Sequence, residues 1–323
     1  MIEIKKYNIE DKSVWDAFIP NSKNATFLFY RDFIEYHKDR FEDYSLLFYS
    51  KGKLVGLLPA NRSATHVYTH QGLTYGGLLV FATLKMNMYL DMYKTLMEYL
   101  LAEGVTGFFV KPTPSIYEQC PSGEFDYLQF LMQAKLVKRD VASVIELSNK
   151  IPLSKLRKRG IQKAEKHHLV VKEVSDFTSF WKQILTPNLQ KTHGVSPVHS
   201  LNEIHLLKSK FPKNIRQFNV CLGSDVIGGT TIFETETVAH AQYISMSKDY
   251  DKFGGLDFLF HHLITSVFSE KKYFDFGISN EQRGLKINEG LLAWKEGFGA
   301  RTKTYSMYEI NPANVHLLSN VLI

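Results

Sequence analysis

The side chains able to do chemistry in this chain are scattered histidines, a polar loop and one glycine turn. His193 and His199 stand in the loop-like string KTHGVSPVHS. His240 precedes Gln242 and Tyr243 in a strand-like run. Histidine titrates near neutrality, so these are the natural general-base candidates. Tyr243 can donate a phenolic hydrogen bond to a carbonyl or a leaving group. The loop Gly277-Ile278-Ser279-Asn280-Glu281-Gln282-Arg283-Gly284 follows a strand-like run, a place where polar residues often face a ligand. There Asn280 can donate and accept, and Glu281 can take a proton from an ammonium; turn and cap chemistry asks for the same residue types. Lys252-Phe253-Gly254-Gly255-Leu256-Asp257 sets two glycines before a helical pattern. A glycine turn at a helix N-terminus can seat a phosphate, and a tight turn alone also favours glycine. No metal is expected. His66 and His70 lie four apart on a strand-like run, which makes no compact chelate, and His261 and His262 diverge on a helix. The chain has no HExxH, paired Cys/His set, GxGxxG, Walker loop or Gly-x-Ser-x-Gly elbow.

These residues need a scaffold, and composition bounds it. The chain has 323 residues, 44% apolar and 22% charged, with net charge +6. At ~100–200 residues per domain this predicts two domains. The apolar fraction excludes disorder. No run approaches the ~18 apolar residues of a membrane span. The opening MIEIKKYNIEDK lacks the apolar core of a secretory signal. Cys120 and Cys221 are isolated and form no CxxC or disulfide framework. A reduced, cytoplasmic protein is expected. The positive charge is concentrated: Lys150, Lys155, Arg157, Lys158, Arg159, Lys163, Lys166 and Lys172 are opposed only by Glu165 and Glu173. Such a run can attract phosphates or nucleic acid, or form a solvated helix face.

The chain repeats itself. LLFYSKGKLVGLLPA and FNVCLGSDVIGGTTIF each read as a hairpin, with turns at Lys51-Gly52 and Gly223-Ser224-Asp225 and a glycine, Gly56 or Gly228, in the second strand. A third strand-like run follows in each half and ends in Tyr75-Gly76-Gly77-Leu78 or Phe253-Gly254-Gly255-Leu256. A helix is then expected. Met86, Leu90, Tyr93, Met97, Leu100 and Leu101 make one apolar stripe; Leu256, Leu259, Phe260, Leu263, Ile264 and Val267 make the other. A short strand closes each unit, at 107–110 and 273–276. The join is expected near Ser148-Asn149-Lys150-Ile151-Pro152. A basic helix with Leu153, Leu156, Ile161 and Ala164 on its apolar side opens the second half, and a later helix from about Leu201 to Lys210 stops before Pro212.

Three strings carry a resemblance. LRKRGIQKAEKHHLVV resembles the R-x-x-I-x-K-A-E-K-x-G-V-x-V segment of FemAB-like proteins. GLLAWKEGFGARTKTY resembles their G-L-x-x-F-K-x-G-F-G segment, and YFDFGISNEQRGLKINEG resembles the strand and loop before it. The order of elements is similar to the GNAT acyltransferase fold in tandem. The resemblance, to an uncharacterised bacterial branch, implies an α/β (α+β) chain of two tandem GNAT-like domains. Each would be a mixed, largely antiparallel sheet flanked by helices. The expected boundaries are 1–148 for an acceptor-side domain and 149–323 for a donor-side domain.

The chemistry implied is acyl transfer from acyl-CoA to an amine, on a nucleotide-linked amino sugar or another cell-envelope precursor. The alternatives are aminoacyl-tRNA as donor, with the basic helix at 153–167 touching the tRNA, and a non-catalytic ligand-binding module. The long coiled-coil arm common in the tRNA-dependent enzymes is not legible here. By the same resemblance Lys295 belongs to the donor-side site, where a cation stabilises a developing oxyanion. Trp294 and Phe298 would wall that pocket and lower its dielectric. Lys295 and Tyr243 would hold the donor carbonyl, and His240 or Glu281 would handle the proton. Lys252, Gly254, Gly255, Trp294 and Asn280 would bind the cofactor. The GNAT turn Arg/Gln-x-x-Gly-x-Gly/Ala is altered: Lys252 replaces its first residue and Asp257 its small last one. An acid there stabilises the helix but repels a phosphate, so Lys252 would have to compensate. Tyr75, Lys111, Tyr117 and His193 would bind the acceptor, with Lys111 facing an anionic group.

Overall fold

The computed structural model describes residues 1–322, the side chain of His193 excepted. Two compact units emerge. One is Met1–Arg139 with the chain from Tyr305 onward; the other is Asp140–Thr304. The expected boundary at 148/149 therefore falls inside the second unit, and the last strand leads back into the first. The polar string 148–152 marks the end of a strand, not a linker between units.

The first unit holds β1 (Ile2–Lys6), α1 (Lys12–Phe18), α2 (Arg31–Ile34), β2 (Glu42–Asp43), β3 (Leu46–Ser50), β4 (Lys53–Leu58), β5 (Asn61–Ser63), β6 (His66–Tyr68), β7 (Leu79–Val80), α3 (Met86–Ala102), β8 (Gly107–Val110) and α4 (Glu124–Leu131). Strands β1-β3-β4-β7 form one sheet, and β6 pairs in parallel with β8 beside β5 and β2. The β3–β4 hairpin turns at Lys51 (φ 50°) and Gly52 (φ 72°). One expectation fails here. No helix follows Tyr75-Gly76-Gly77-Leu78 directly, because Leu79 and Val80 first pair with Leu57 and Gly56 as β7. Helix α3 begins only at Met86 and buries Leu90, Tyr93, Met97 and Leu100 as its stripe requires, whereas Leu101 is exposed.

Strand β9 (Lys135–Glu146) leads into the second unit. There follow α5 (Lys155–Lys166), β10 (Val170–Val174), α6 (Thr178–Phe180), α7 (Thr186–His193), α8 (Leu201–Lys210), β11 (Ile215–Leu222), β12 (Asp225–Glu234), β13 (Val238–Met246), α9 (Gly255–His262), β14 (Tyr273–Ile278), β15 (Asn280–Glu281), β16 (Lys286–Ile287) and α10 (Glu289–Glu296). Strand β17 (Arg301–Ile310) closes the chain's regular structure. Within this unit the sheet order is β10-β11-β12-β13-β14-β9, antiparallel except for the β13–β14 pair. The hairpin repeat is real in detail. In both copies the register slips two residues before the turn, at Phe48/Tyr49 and Val220/Cys221, with Gly56 and Gly228 opposite.

Helix α5 buries Ile161 and Ala164, but Leu156 is exposed. Its closest approach is to the start of α9. Gly254 (φ +74°) leaves no room for a side chain: a Cβ there would lie 2.2 Å from the Gly160 carbonyl oxygen. Gly160 in turn lies against the Asp257 carboxylate. Gly223 (φ +60°) has the same handedness but open space around it. Alanine at Gly223 is therefore expected to cost only the conformational penalty, about 1 kcal/mol. Alanine at Gly254 adds a backbone clash and is expected to cost about 3 kcal/mol. Urea-unfolding midpoints of the two variants check this; equal losses would contradict the glycine–glycine contact.

Candidate active site

Parallel strands β13 and β14 pair at Val238–Tyr273, Ala239–Phe274 and His240–Asp275, and no further, although β13 runs on to Met246. The last pair carries the chemistry. His240 Nδ1 lies 2.9 Å from Asp275 Oδ2. Asp275 is fully buried, and its other oxygen accepts the Gly277 N–H at 2.7 Å. With Nδ1–H donating to the carboxylate, Nε2 is left as the basic nitrogen. Gly277 (φ +72°) keeps space beside the ring, since a Cβ there would stand 3.3 Å from His240 Cε1.

Lys295, in the last turn of α10, is buried next to this pair. Its Nζ donates to the carbonyls of Gly277 (3.0 Å) and Ile278 (2.7 Å). Two of its three protons are thus engaged. Burial pushes its pKa down to about 8, against the opposing pull of Asp275. Asp275 was given no role by the sequence reading. Its signal was an acid between two phenylalanines in a strand: alternation sends Phe274 and Phe276 into the core and the carboxylate to the other face.

A bulge sets up the face that His240 shares. Between Thr231–Tyr243 and Ile232–Ala241 the register slips by one at Gln242. Ala239 and Ala241 before the bulge, and Ile244 and Met246 after it, all pack in the same core. Ser245 is turned the other way and accepts from Asn188 Nδ2 at 2.9 Å.

Where β13 has left β14, a cavity of about 540 Å³ opens. Ile244, Ser245 and Met246 form one wall, Leu291 and Trp294 of α10 another, and Gly254 and Gly255 the start of α9. The first N–H groups of α9 have no acceptor within the helix, and no side chain caps them. Arg157 and Lys248 are the cations of the lining, Asp251 and Asp257 its acids. Arg157 is ion-paired to Asp257, and Trp294 Nε1 donates to the same carboxylate oxygen at 3.0 Å. The acid that disturbed the glycine turn is thus answered by Arg157 of the basic helix. Lys252 is exposed, over the Phe253 ring at 5.4 Å, and does not line the cavity.

This backbone has a counterpart among solved structures. Over 98% of this chain and 99% of the other it matches a crystal structure of FemX, with TM-score 0.66 and 11% sequence identity. The fold is FemX-like. It also matches L-PGS from Bacillus licheniformis over 96% of this chain and 95% of that one, with TM-score 0.59 and 10% identity. No protein-family model matches the sequence, and the curated proteins searched contain no sequence match. The mixed α/β fold implied by the sequence resemblance is therefore present, shared with FemX by topology rather than by sequence identity.

Within the FemX-like fold, the remaining expected residues are placed elsewhere. The Tyr243 hydroxyl is buried 2.6 Å from His199 Nδ1 and accepts the His199 N–H at 3.2 Å. Burial raises its pKa to about 12, which keeps the phenol protonated, and its hydroxyl is engaged by His199. Asn280 accepts from the Val141 N–H and donates to Gly284 O (3.3 Å), which fixes the base of its loop. Glu281 is exposed and accepts from Asn288 Nδ2 at 3.1 Å. In the first unit Tyr75 and Tyr117 are buried with ring centroids 4.7 Å apart, and Tyr75 donates to Thr26 Oγ1 at 3.1 Å. Lys111 donates to the Leu73 carbonyl, and burial lowers its pKa to about 8. The side chain of His193 lies outside the described residues. Among the described residues no group of His, Cys, Asp and Glu could hold a metal ion, and no helix is long and apolar enough to cross a membrane.

Lys295 supplies a pH test. Its folded pKa, about 8, lies below the ordinary 10.5. Below pH 8 the folded state must bury a charge that the unfolded state keeps in water. That cost disappears as pH rises from 8 toward 10.5. Relative to Lys295→Met, the wild type is expected to gain on the order of 2 kcal/mol of stability between pH 7.5 and 10. Parallel pH-stability curves for the two proteins would contradict the buried-amine assignment.

Proposed function

We propose that the protein is an N-acyltransferase that moves an acyl group from an acyl-CoA thioester to an amine. The observation that carries this reading is the His240–Asp275 pair, standing beside buried Lys295 at the point where β13 and β14 part. The cavity begins four residues further along β13, about 13 Å away at ~3.3 Å per residue. The first turn of α9, with Arg157 and Lys248, suits the pyrophosphate of the donor. The acyl arm then runs up the gap between the strands toward His240.

An amine must lose its proton before or as it attacks. Its nitrogen forms the new C–N bond, and the thioester C–S bond breaks. One N–H proton passes to His240 Nε2 and from there to the leaving thiolate. Asp275 holds the imidazole in the receptive tautomer and balances the imidazolium. The one proton of Lys295 not given to backbone carbonyls is available to the developing oxyanion. Tyr243 and Glu281 have no part in this scheme. The acceptor amine is carried by a nucleotide-linked amino sugar or other envelope precursor.

A second reading keeps the chemistry and takes aminoacyl-tRNA as donor. It is favoured by the exposure of Lys155, Lys158, Arg159, Lys163 and Lys166 on α5. Transfer assays with radiolabelled acyl-CoA and aminoacyl-tRNA separate the two. On the first reading, acyl-CoA is consumed, and His240→Ala and Lys295→Ala each lower kcat/KM by about 100-fold or more. Lys158→Glu/Lys163→Glu leaves it unchanged. Transfer from tRNA alone, steeply salt-dependent and lost in the α5 variant, selects the second. Transfer from neither donor rejects both.

A further inference from the structure

The second unit has another cavity that the proposed chemistry does not use. It measures about 190 Å³ and is lined by Ile145, Ile151, Pro152, Leu153, Ile264 and Phe298, with Lys150, His261 and Thr265 around it. Its walls come from the end of β9, the strap 150–153 before α5, and a π-helical turn, Leu263–Val267, that continues α9. Such turns often mark functional positions in helices.

The strap is held firmly. Ser154 N–H donates to the Gly297 carbonyl at 2.9 Å, and Gly299 (φ +93°) lies under the strap, its would-be Cβ 2.3 Å from Ile151 O. The two glycines that flank Phe298 thus seat the strap over it. The cavity is therefore a preformed feature of packed backbone. Thr265 spends its hydroxyl on the His261 carbonyl at 2.8 Å, so the interior is apolar. Lys150 has no ion pair or hydrogen bond among the described residues, and no acid contributes to the lining.

An apolar cavity of ~150 Å³ holds a benzene-sized group. This one is larger and carries an uncommitted cation at its edge. We propose that it is a second ligand site, for a small amphiphile with an apolar body of about six carbons and an anionic head, such as a medium-chain carboxylate. The apolar body lies against Phe298 and Ile264, and the carboxylate meets Lys150. The site is separate from the reaction cavity but shares a wall with its aromatic support: Phe298 packs on Trp294 at 5.1 Å between ring centroids.

Calorimetric titration of the whole protein with hexanoate, hexanol and hexylamine tests this. Hexanoate is expected to bind one-to-one, and hexylamine to bind about tenfold more weakly or not at all. Lys150→Glu, at an exposed position, should reverse that order without changing the melting temperature. Ile151→Trp, which fills the cavity from the strap, should abolish binding of all three. The proposal is overturned by absence of hexanoate binding to the wild type. It is equally overturned by an unchanged preference in Lys150→Glu, or by undiminished binding in an Ile151→Trp protein whose circular dichroism is native.

Discussion

A carboxylate sealed from water at the last paired rung of two parallel strands organises the second unit. Asp275 is fully buried, and a buried carboxylate is tolerated only if its lone pairs are met by donors. Here they are met by His240 and by the Gly277 N–H. The second bond requires the chain to turn at Gly277 with positive φ, and that turn presents the carbonyls of Gly277 and Ile278 to Lys295. One desolvated charge thus fixes an imidazole, a backbone kink and a buried ammonium together. The result is a basic nitrogen and a cation beside a gap between strands, which is what amine acylation needs.

The reading of elements from sequence succeeded where a local rule and the tertiary outcome agree. The stripe of α3 and the extent of α8, which stops at Lys210 before Pro212, are examples. It failed where a long-range pairing intervened. Leu79 and Val80 look like the run-in to a helix, yet edge pairing with Gly56 and Leu57 captures them first. The division into units is a related case: a polar, proline-bearing string reads as a linker, but here it joins β9 to α5 within one compact unit.

For the site, types were legible and partners were not. His240 and Lys295 were both singled out, and they do converge. Tyr243, three residues from His240, is brought onto the histidine's face of the strand by a bulge inserted at Gln242, yet its hydroxyl is committed to His199. No local pattern announces that insertion. Asp257 looked like an obstacle to phosphate because its counter-ion, Arg157, lies 100 residues earlier and reaches it only through the Gly160–Gly254 contact. Such long-range neutralisation is invisible to any window along the chain.

The bulge at Gln242 also reconciles two demands on this strand. Side chains on a strand alternate, so a register slip of one residue reverses every position beyond it. With Gln242 in place, Ala239, Ala241, Ile244 and Met246 all reach the core, while His240 and Ser245 look out. A strand that kept Gln242 but paired in unbroken register would have to choose. Keeping His240 beside Asp275 would turn Ile244 and Met246 out of the core; keeping those two buried would swing the imidazole inward. Any change that straightens β13 at this point therefore costs either core packing or the His240–Asp275 pair.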